Sequence, residues 1–287
     1  MQIIRFLDPD GNCHYGSPLG VDSAEILSSP FADPTRGLLP RTADFTPTGR
    51  TTAVRTLLSP LSPFNIFCIG RNYAEHAKEG GADIPTTPVI FMKPTTAVTH
   101  SHAPVVIPAC SSEKGEVDFE AELTVVMGSP APDSPSYNQP PKNIPEDRAL
   151  DYVFGYTIAN DISARKFQKH SGGGQWIRGK SFDTFCPLGP ALVTADEIPD
   201  PQTLAISLEL NGNQMQCDTT ANMIFTVAHL IHYISQDTTL VPGTIILTGT
   251  PSGVGFARTP PVWLQPGDTV SASIETIGTL TNPIASP

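Results

Sequence analysis

Glu120 and Glu122 are the residues whose spacing first asks for a chemical explanation. Between Asp118 and Gly128, Phe119, Ala121, Leu123, Val125 and Met127 alternate with Glu120, Glu122 and Thr124. A period of two predicts a half-buried β-strand, with both glutamates on one face roughly 6–7 Å apart at their Cα atoms. Two carboxylates so placed repel unless positive charge lies between them. Alone, they can equally be two solvated glutamates on a wet strand face. A third carboxylate, Asp161, follows the apolar run Val153–Ala159, which predicts a strand buried on both faces. Asp161 is expected to cap a helix from Ile162 to His170, on which Asp161, Arg165 and Gln168 share a face. Capping explains the aspartate and does not exclude metal ligation. Glu120, Glu122 and Asp161 make an all-oxygen donor set, which suits a hard divalent ion: Mg²⁺ first, with Mn²⁺ or Ca²⁺ possible. A metal there acts as a Lewis acid on a chelating keto acid or diketone enolate.

A second pair capable of chemistry is His76 and Glu79. Ile66–Ile69 predicts a short strand, and Asn72 is the expected N-cap of a helix from Tyr73 to Glu79, stopped by Gly80-Gly81. His76 and Glu79 then stand three apart on one face, as a base and its orienting partner would, or as an ordinary surface ion pair. Val89–Lys93 predicts the next strand, which Pro94 ends, and Lys93 stands at its end. It either snorkels to the surface or points its amine into a site.

The elements that must hold these groups are mostly strands. The 287 residues are 39% hydrophobic and 16% charged, with a net charge of −11. That length suits one large domain or one with a small appendage. The acidic balance excludes the basic footprint of a nucleic-acid binder and disfavours an anionic membrane surface. Five scattered cysteines without a Cys-x-x-Cys pair argue against a disulfide framework or a zinc ribbon. No signal peptide, transit peptide or membrane span is evident, so a cytoplasmic setting is expected.

Residues 1–60 read as a small β-rich N-terminal domain, with a turn at Asp8–Asn12, a helical segment near Thr51–Leu58, and prolines across 28–50 that preclude long elements. Residues 61–287 read as the catalytic domain. Val105–Ile107 predicts a short strand. The proline-rich stretch 129–148 reads as a long surface insertion, or else a lid. Leu204–Leu210 and Gln214–Cys217 form a hairpin about Asn211-Gly212. Met223–Ser235 has helical spacing, and its His229 and His232 are assigned to structure. Thr244–Gly255 is a strand entering a glycine-rich turn without a P-loop or dinucleotide fingerprint. Val270–Ile274 is a closing strand.

Five motifs occur in order: Gly-Arg-Asn-Tyr-Ala-Glu-His-Ala-Lys-Glu (70–79), Phe-Glu-Ala-Glu-Leu (119–123), Asn-Asp-Ile-Ser-Ala-Arg (160–165), Gly-Lys-Ser-Phe-Asp (179–183) and Thr-Gly-Thr-Pro-Ser-Gly-Val-Gly (248–255). Over residues 61–285 the chain resembles the fumarylacetoacetate hydrolase family. The resemblance implies an α+β, β-rich fold, a mixed β-sandwich or roll with few short helices, and a homodimer. It implies metal ligands at Glu120, Glu122 and Asp161 and a catalytic pair at His76 and Glu79. Lys180 would neutralise charge beside the metal, and Arg71, Arg165, Gln168 and Thr250 would contact substrate. The longer 129–148 loop and the glycines 172–174 depart from the pattern of some relatives and bear on substrate choice. The expected activity is Mg²⁺-dependent cleavage or decarboxylation of a small 2,4-dioxo or β-keto acid, such as an acylpyruvate or oxaloacetate. The alternative is keto–enol tautomerisation or double-bond isomerisation on the same site. A non-catalytic binder of dicarboxylates is the third reading.

Overall fold

A computed structural model describes residues 1–29, 32–37, 44–111, 116–170 and 173–287. Among these, the chain folds mainly as β-sheet with a few short helices, the β-rich α+β architecture expected. One twelve-stranded sheet runs through Thr46–Ala53, Ser23–Ser28, Cys13–Pro18, Gln2–Leu7, Cys186–Thr194, Val153–Asn160, Ala121–Met127, Ile245–Leu247, Ile66–Gly70 and Val89–Met92. Two further strands, Thr56–Leu58 and Val98–His100, pair off this path. A five-stranded sheet packs near it, ordered Asn213–Thr219, Ala205–Leu210, Thr269–Ile274, Gly278–Ala285 and Val105–Val106. The N-terminal strands join the large sheet directly, because Gln2 and Ile3 pair with Val193 and Leu192.

The strand carrying Glu122 lies at the centre of this arrangement. Ala121–Met127 pairs antiparallel with Val153–Asn160 on one side and with Ile245–Leu247 on the other. Every residue in it is buried, so the expectation of a half-buried strand is corrected. The alternation is real, but both faces are covered. Phe119, Ala121, Leu123, Val125 and Met127 enter a core cluster shared with Leu208, Val270 and Leu280 of the smaller sheet. Val126, on the face of Glu122 and Thr124, packs into a second cluster with Ile66, Cys68, Ala159 and Leu247. The polar face is therefore an interior one, and its charges need partners.

Other expectations are corrected by pairing. Thr51–Leu58 forms no helix: Thr46–Ala53 pairs with Ser23–Ser28, and Thr56–Leu58 with Gln2–Leu7. The β-branched Thr51, Thr52 and Thr56 suit those strands. The helix after Asp161 begins only at Arg165, because Ser163–Ala164 first pairs with Val117–Asp118. Asp161 is consequently not its cap. Asn72 caps no helix either: Tyr73 precedes the Ala74–Glu79 helix without a side-chain bond. The Asn72 amide instead donates to Phe225 O at 3.0 Å and Thr248 O at 2.8 Å, and accepts from Phe225 N at 2.8 Å. It ties the site's first loop to two distant segments.

The hairpin at Asn211-Gly212 forms as expected, with φ of +54° and +76° at the two turn residues. Stretch 129–148 contains no strand, and its end packs under the Val227–Ser235 helix, where the Asn143 and Ile144 amides donate to Ser235 O and Oγ. His229 meets Glu146 at 3.1 Å and His232 meets Ile144 O at 2.7 Å, which are structural contacts. The prolines at 30 and 40, and part of the glycine run 172–174, lie outside the described residues. Among the described residues no helix is long and apolar enough to cross a membrane.

Candidate active site

Asp118, Glu120 and Glu122 reach the interior from one edge of the central strand, and Asp161 arrives from the end of its neighbour. The neighbouring pair is locked where it matters: Ala121 pairs with Asn160, and Asp161 N donates to Glu120 O at 2.8 Å. Glu120 N is held by Asn160 Oδ1 at 2.9 Å and Ala121 N by Gln216 Oε1 at 3.0 Å. With the backbones fixed in this way, one carboxylate oxygen each from Glu120, Glu122 and Asp161 lies within 4.8 Å of the others. All three residues are buried.

Three cations surround the cluster. Lys180 Nζ donates to Glu120 Oε2 and Asp161 Oδ2, both at 2.7 Å. Lys93 Nζ donates to Asp161 Oδ1 at 2.5 Å and Ile162 O at 3.1 Å, so its amine enters the site and does not snorkel. Arg165 contacts Glu120 Oε1 at 2.7 Å and places Nε and Nη2 on Asp118 Oδ2 at 2.8 and 2.6 Å. Its Nη1 donates to Gln168 Oε1 at 3.0 Å. Asp118 also accepts from the amides of Gly255 and Phe256, at 2.7 and 3.1 Å. It thus pins the glycine-rich turn to the arginine.

The charges do not balance. Four buried carboxylates face three cations, and Glu122 is the one without an ion pair among the described residues. Its Oε2 accepts from Gly249 N at 2.7 Å. Burial, followed by repulsion from Asp161 and Glu120, holds its carboxyl well above the usual range. Burial would raise Glu120 too, but Lys180, Arg165 and His76 outweigh it and hold that carboxyl low. Burial alone would lower the Lys180 ammonium; Asp161 and Glu120 raise it instead. A three-oxygen set with a surplus negative charge fits a divalent hard cation, which would replace carboxylate repulsion by attraction.

His76 stands at the same pocket. Its Nδ1 lies 2.7 Å from Glu79 Oε1, and Glu79 Oε2 accepts from Gly253 N at 2.8 Å. Hydrogen-bond logic puts a proton on Nδ1 and leaves Nε2 as the basic nitrogen. The pocket wall includes His76, Glu120, Glu122, Gln168, Lys180 and Phe256. Arg71, Arg165 and Thr250 line it as well. Thr250 Oγ1 is already engaged, donating to Ala121 O and accepting from Gln216 Nε2, both at 2.8 Å. Asp161 and Glu79 do not line the wall and reach it through Lys180 and His76. No residue of 129–148 lines the pocket, so nothing in its wall supports the lid reading.

Sequence reasoning did not assign Asp118, Gln216, Lys169, Trp176 or Phe256. Asp118 had a signal: it sits two residues before Glu120, so the same period of two places it on the same face. Gln216 comes from a hairpin strand nearly a hundred residues away from Ala121, and no local pattern marks it.

A family model described as the C-terminal domain of fumarylacetoacetate hydrolase matches residues 65–285. The chain belongs to the fumarylacetoacetate hydrolase family. Within that family, the Xenopus laevis protein named oxaloacetate tautomerase fahd2, mitochondrial, is 45% identical over 230 residues, covering 80% of this chain and 68% of the relative. A solved structure titled 2-hydroxyhepta-2,4-diene-1,7-dioate isomerase, from Mycobacterium marinum, is 37% identical with a TM-score of 0.78, covering 100% of this chain and 98% of that one. A fumarylacetoacetate hydrolase from Exiguobacterium antarcticum is 31% identical with a TM-score of 0.78, covering 100% of both chains.

Proposed function

We propose that this family member is a metal-dependent tautomerase or isomerase that moves a proton next to the carbonyl of a 2-oxo acid. The observation that carries this reading is the His76–Glu79 pair, held by Gly253 and opening onto the same pocket as the acidic cluster. Similarity to proteins named as a tautomerase and an isomerase favours proton transfer over the carbon–carbon cleavage expected first.

Glu120, Glu122 and Asp161 would hold the metal, which supplies Lewis-acid polarisation of a 2-oxo group and spreads enolate charge. The chain's own groups handle the proton. Glu79 accepts the Nδ1–H and fixes the ring, so Nε2 takes a proton from the carbon beside the 2-oxo group. The Nε2–H then gives that proton to the 2-oxygen, which restores the neutral imidazole and yields the enol without change in net charge. Lys180 keeps its ammonium beside Glu120 and Asp161, placing positive charge where enolate charge develops. Arg165 and Lys93 keep the carboxylates in register.

Hydrolysis is the second reading, favoured by the likeness to the Exiguobacterium hydrolase. The same Nε2 can deprotonate a water for attack on the distal carbonyl of an acylpyruvate. A reducing compartment suits five free cysteines.

The test mixes purified protein and Mg²⁺ with freshly dissolved enol oxaloacetate, following enol absorbance and, by NMR, product acids. The expected result is accelerated loss of enol signal without pyruvate. Rapid pyruvate formation, or cleavage of acylpyruvates at a comparable rate, would replace tautomerisation by the lyase or hydrolase reading. Activity that persists in EDTA would remove the metal from either.

A further inference from the structure

The backbone amides of the glycine-rich turn hold carboxylates from three separate positions. Gly249 N donates to Glu122 Oε2 at 2.7 Å, Gly253 N to Glu79 Oε2 at 2.8 Å, and Gly255 N to Asp118 Oδ1 at 2.7 Å. Glu122 stands on the fully buried central strand, and Asp118 is also bound by Arg165. Glu79 has the least support of the three. It is the last residue of a six-residue helix, Ala74–Glu79, and two glycines follow it. A helix that short is marginal by itself. The Glu79 side chain is 20% exposed, so water competes for its carboxylate. Among the described residues its only hydrogen bonds are those with His76 and Gly253. What fixes Gly253 therefore fixes the partner of the base.

Gly253 is fixed from behind, by the smaller sheet. Its φ is +105°, and a Cβ there would come within 2.1 Å of Met215 O on the strand Asn213–Thr219, so only glycine fits. Arg258 closes this contact. Its Nη2 donates to Met215 O at 2.7 Å and its Nε to Gly253 O at 3.3 Å, so one guanidinium bridges the strand and the turn. A planar fork of several donors suits two carbonyls at once. The short 3₁₀ turn Gly255–Ala257 brings Arg258 back to this place, with Arg258 N donating to Gly255 O at 3.3 Å. The neighbouring part of the turn has a different clamp. Gln216 Nε2 donates to Thr250 Oγ1 and Pro251 O, both at 2.8 Å. Gln216 also serves the metal strand through Ala121 N, whereas the side-chain bonds of Arg258 serve Gly253 and the strand behind it. Arg258 does not line the pocket wall.

We propose that Arg258 is a positioning residue for the base. By holding Gly253 against the smaller sheet it holds Glu79, and through Glu79 it keeps the His76 ring turned with Nε2 towards the reacting carbon. This rests on the proton-transfer reading of His76 and deepens it. Without Arg258 the turn relaxes at Gly253, water takes over the Glu79 carboxylate, and the imidazole is aligned for less of the time. The acidic cluster is insulated from that change. The Gly249 amide that meets Glu122 lies between Thr248, bound to Leu123 O through N and Oγ1 at 3.0 and 2.8 Å, and Thr250, bound to Gln216. A residue that merely stapled the turn would act alike on metal, substrate and base.

The experiment is a double-mutant cycle with a second readout that needs no turnover. Steady-state kinetics on enol oxaloacetate with Mg²⁺ compare the native protein, Arg258→Met, Glu79→Ala and the double variant. Arg258→Met is expected to lower kcat about 10-fold or more while KM and the calorimetric Mg²⁺ affinity stay within about twofold. Arg258→Lys should recover part of the loss, since an ammonium still donates to a carbonyl. In the Glu79→Ala background the same Arg258→Met change should alter kcat by less than about twofold, because the group it acts through is gone. The second readout is the His76 Nδ1–H, followed by NMR in protein with nitrogen-labelled histidine and assigned by its loss in His76→Gln. Its exchange with water should quicken about 10-fold or more in Arg258→Met. If that variant does not fold, Arg258→Gln, which keeps an amide donor, takes its place in both measurements, with smaller losses of the same kind expected. Fully additive losses in the cycle, a parallel loss of Mg²⁺ affinity, or a fall in kcat without faster exchange would each make Arg258 a general staple and overturn the proposal. If the native protein tautomerises oxaloacetate and neither kcat nor exchange responds to Arg258, the positioning role falls and the function stands. If exchange responds but the native protein moves no proton on oxaloacetate, the positioning role stands and the tautomerase reading falls.

Discussion

At the scale of single residues, the site is a set of buried charges made tolerable by specific partners. Isolated buried carboxylates would be protonated. Lys180 and Arg165 keep Glu120 ionised, and Gly249 N meets Glu122. Glu79 is different, because its partner is the proposed base. Replacing it with glutamine keeps the side-chain shape and a carbonyl for the His76 Nδ1–H. The replacement removes the charge that stabilises the imidazolium formed during proton transfer. Glu79→Gln is expected to lower turnover about 10²-fold or more while sparing substrate affinity, in line with general-base catalysis. Steady-state kinetics beside calorimetric binding checks this, and unchanged turnover would assign the proton transfer to another group. Much of this chemistry was legible from residue type and spacing: His76–Glu79 at i,i+3, and Glu120–Glu122 at i,i+2. Lys93 was not decided by spacing, because whether an amine snorkels or turns inward depends on what lies beneath its strand. Here Asp161 does.

At the scale of elements, alternation was readable but burial was not. The period of two correctly puts Glu120 and Glu122 on one face. Nothing in the stretch shows that Val126, on that face, is buried in a cluster with Ile66, Cys68 and Leu247 of neighbouring strands. The same limit explains the misplaced helices. Thr51–Leu58 and Ser163–Ala164 are strands because partners far away in sequence pair with them. Turns, by contrast, are local and were legible. Asp8–Asn12 is one: Asp8 accepts from Asn12 N at 2.8 Å, from Asn12 Nδ2 at 3.1 Å, and faces His14 Nε2 at 2.9 Å. The His14 bond first, with those to Asn12, outweighs burial and takes the Asp8 pKa from 3.8 to about 2. A depressed carboxyl stabilises the fold fully above its unfolded pKa and loses that contribution as pH falls through the folded value. Asp8→Asn is therefore expected to weaken the protein at neutral pH, with the deficit closing as pH falls from about 3.8 towards about 2. Urea titrations of both proteins across that range measure it. A deficit independent of pH would mean that the turn depends on shape and not on charge.

At the scale of the whole molecule, two sheets and several loops converge on a cluster that is not electrically complete. Asn72 joins the Arg71 loop to Thr248 and Phe225, Gln216 joins the smaller sheet to Ala121 and Thr250, and Asp118 joins Arg165 to Phe256. These cross-links hold four carboxylates against three cations, so the metal-free fold carries a repulsion centred on Glu122. A cation that binds only the folded chain should relieve it and stabilise the whole protein by mass action. At about 100 times its Kd the gain is about 2.7 kcal/mol, or roughly 4–5 °C in Tm for a chain of this size. Glu122→Gln separates this from non-specific salt effects. The amide keeps an acceptor for Gly249 N and removes the unpaired charge. The variant's Tm in EDTA should equal or exceed that of the native protein, because a repulsive charge is gone. Its Tm should then rise by less than about 2 °C on adding Mg²⁺, since the ligand set has lost an anion. Thermal melts of both proteins, with EDTA and with increasing Mg²⁺, give all four values. A variant destabilised in EDTA that keeps the full Mg²⁺ response would show that Glu122 is structural and that the cation binds elsewhere.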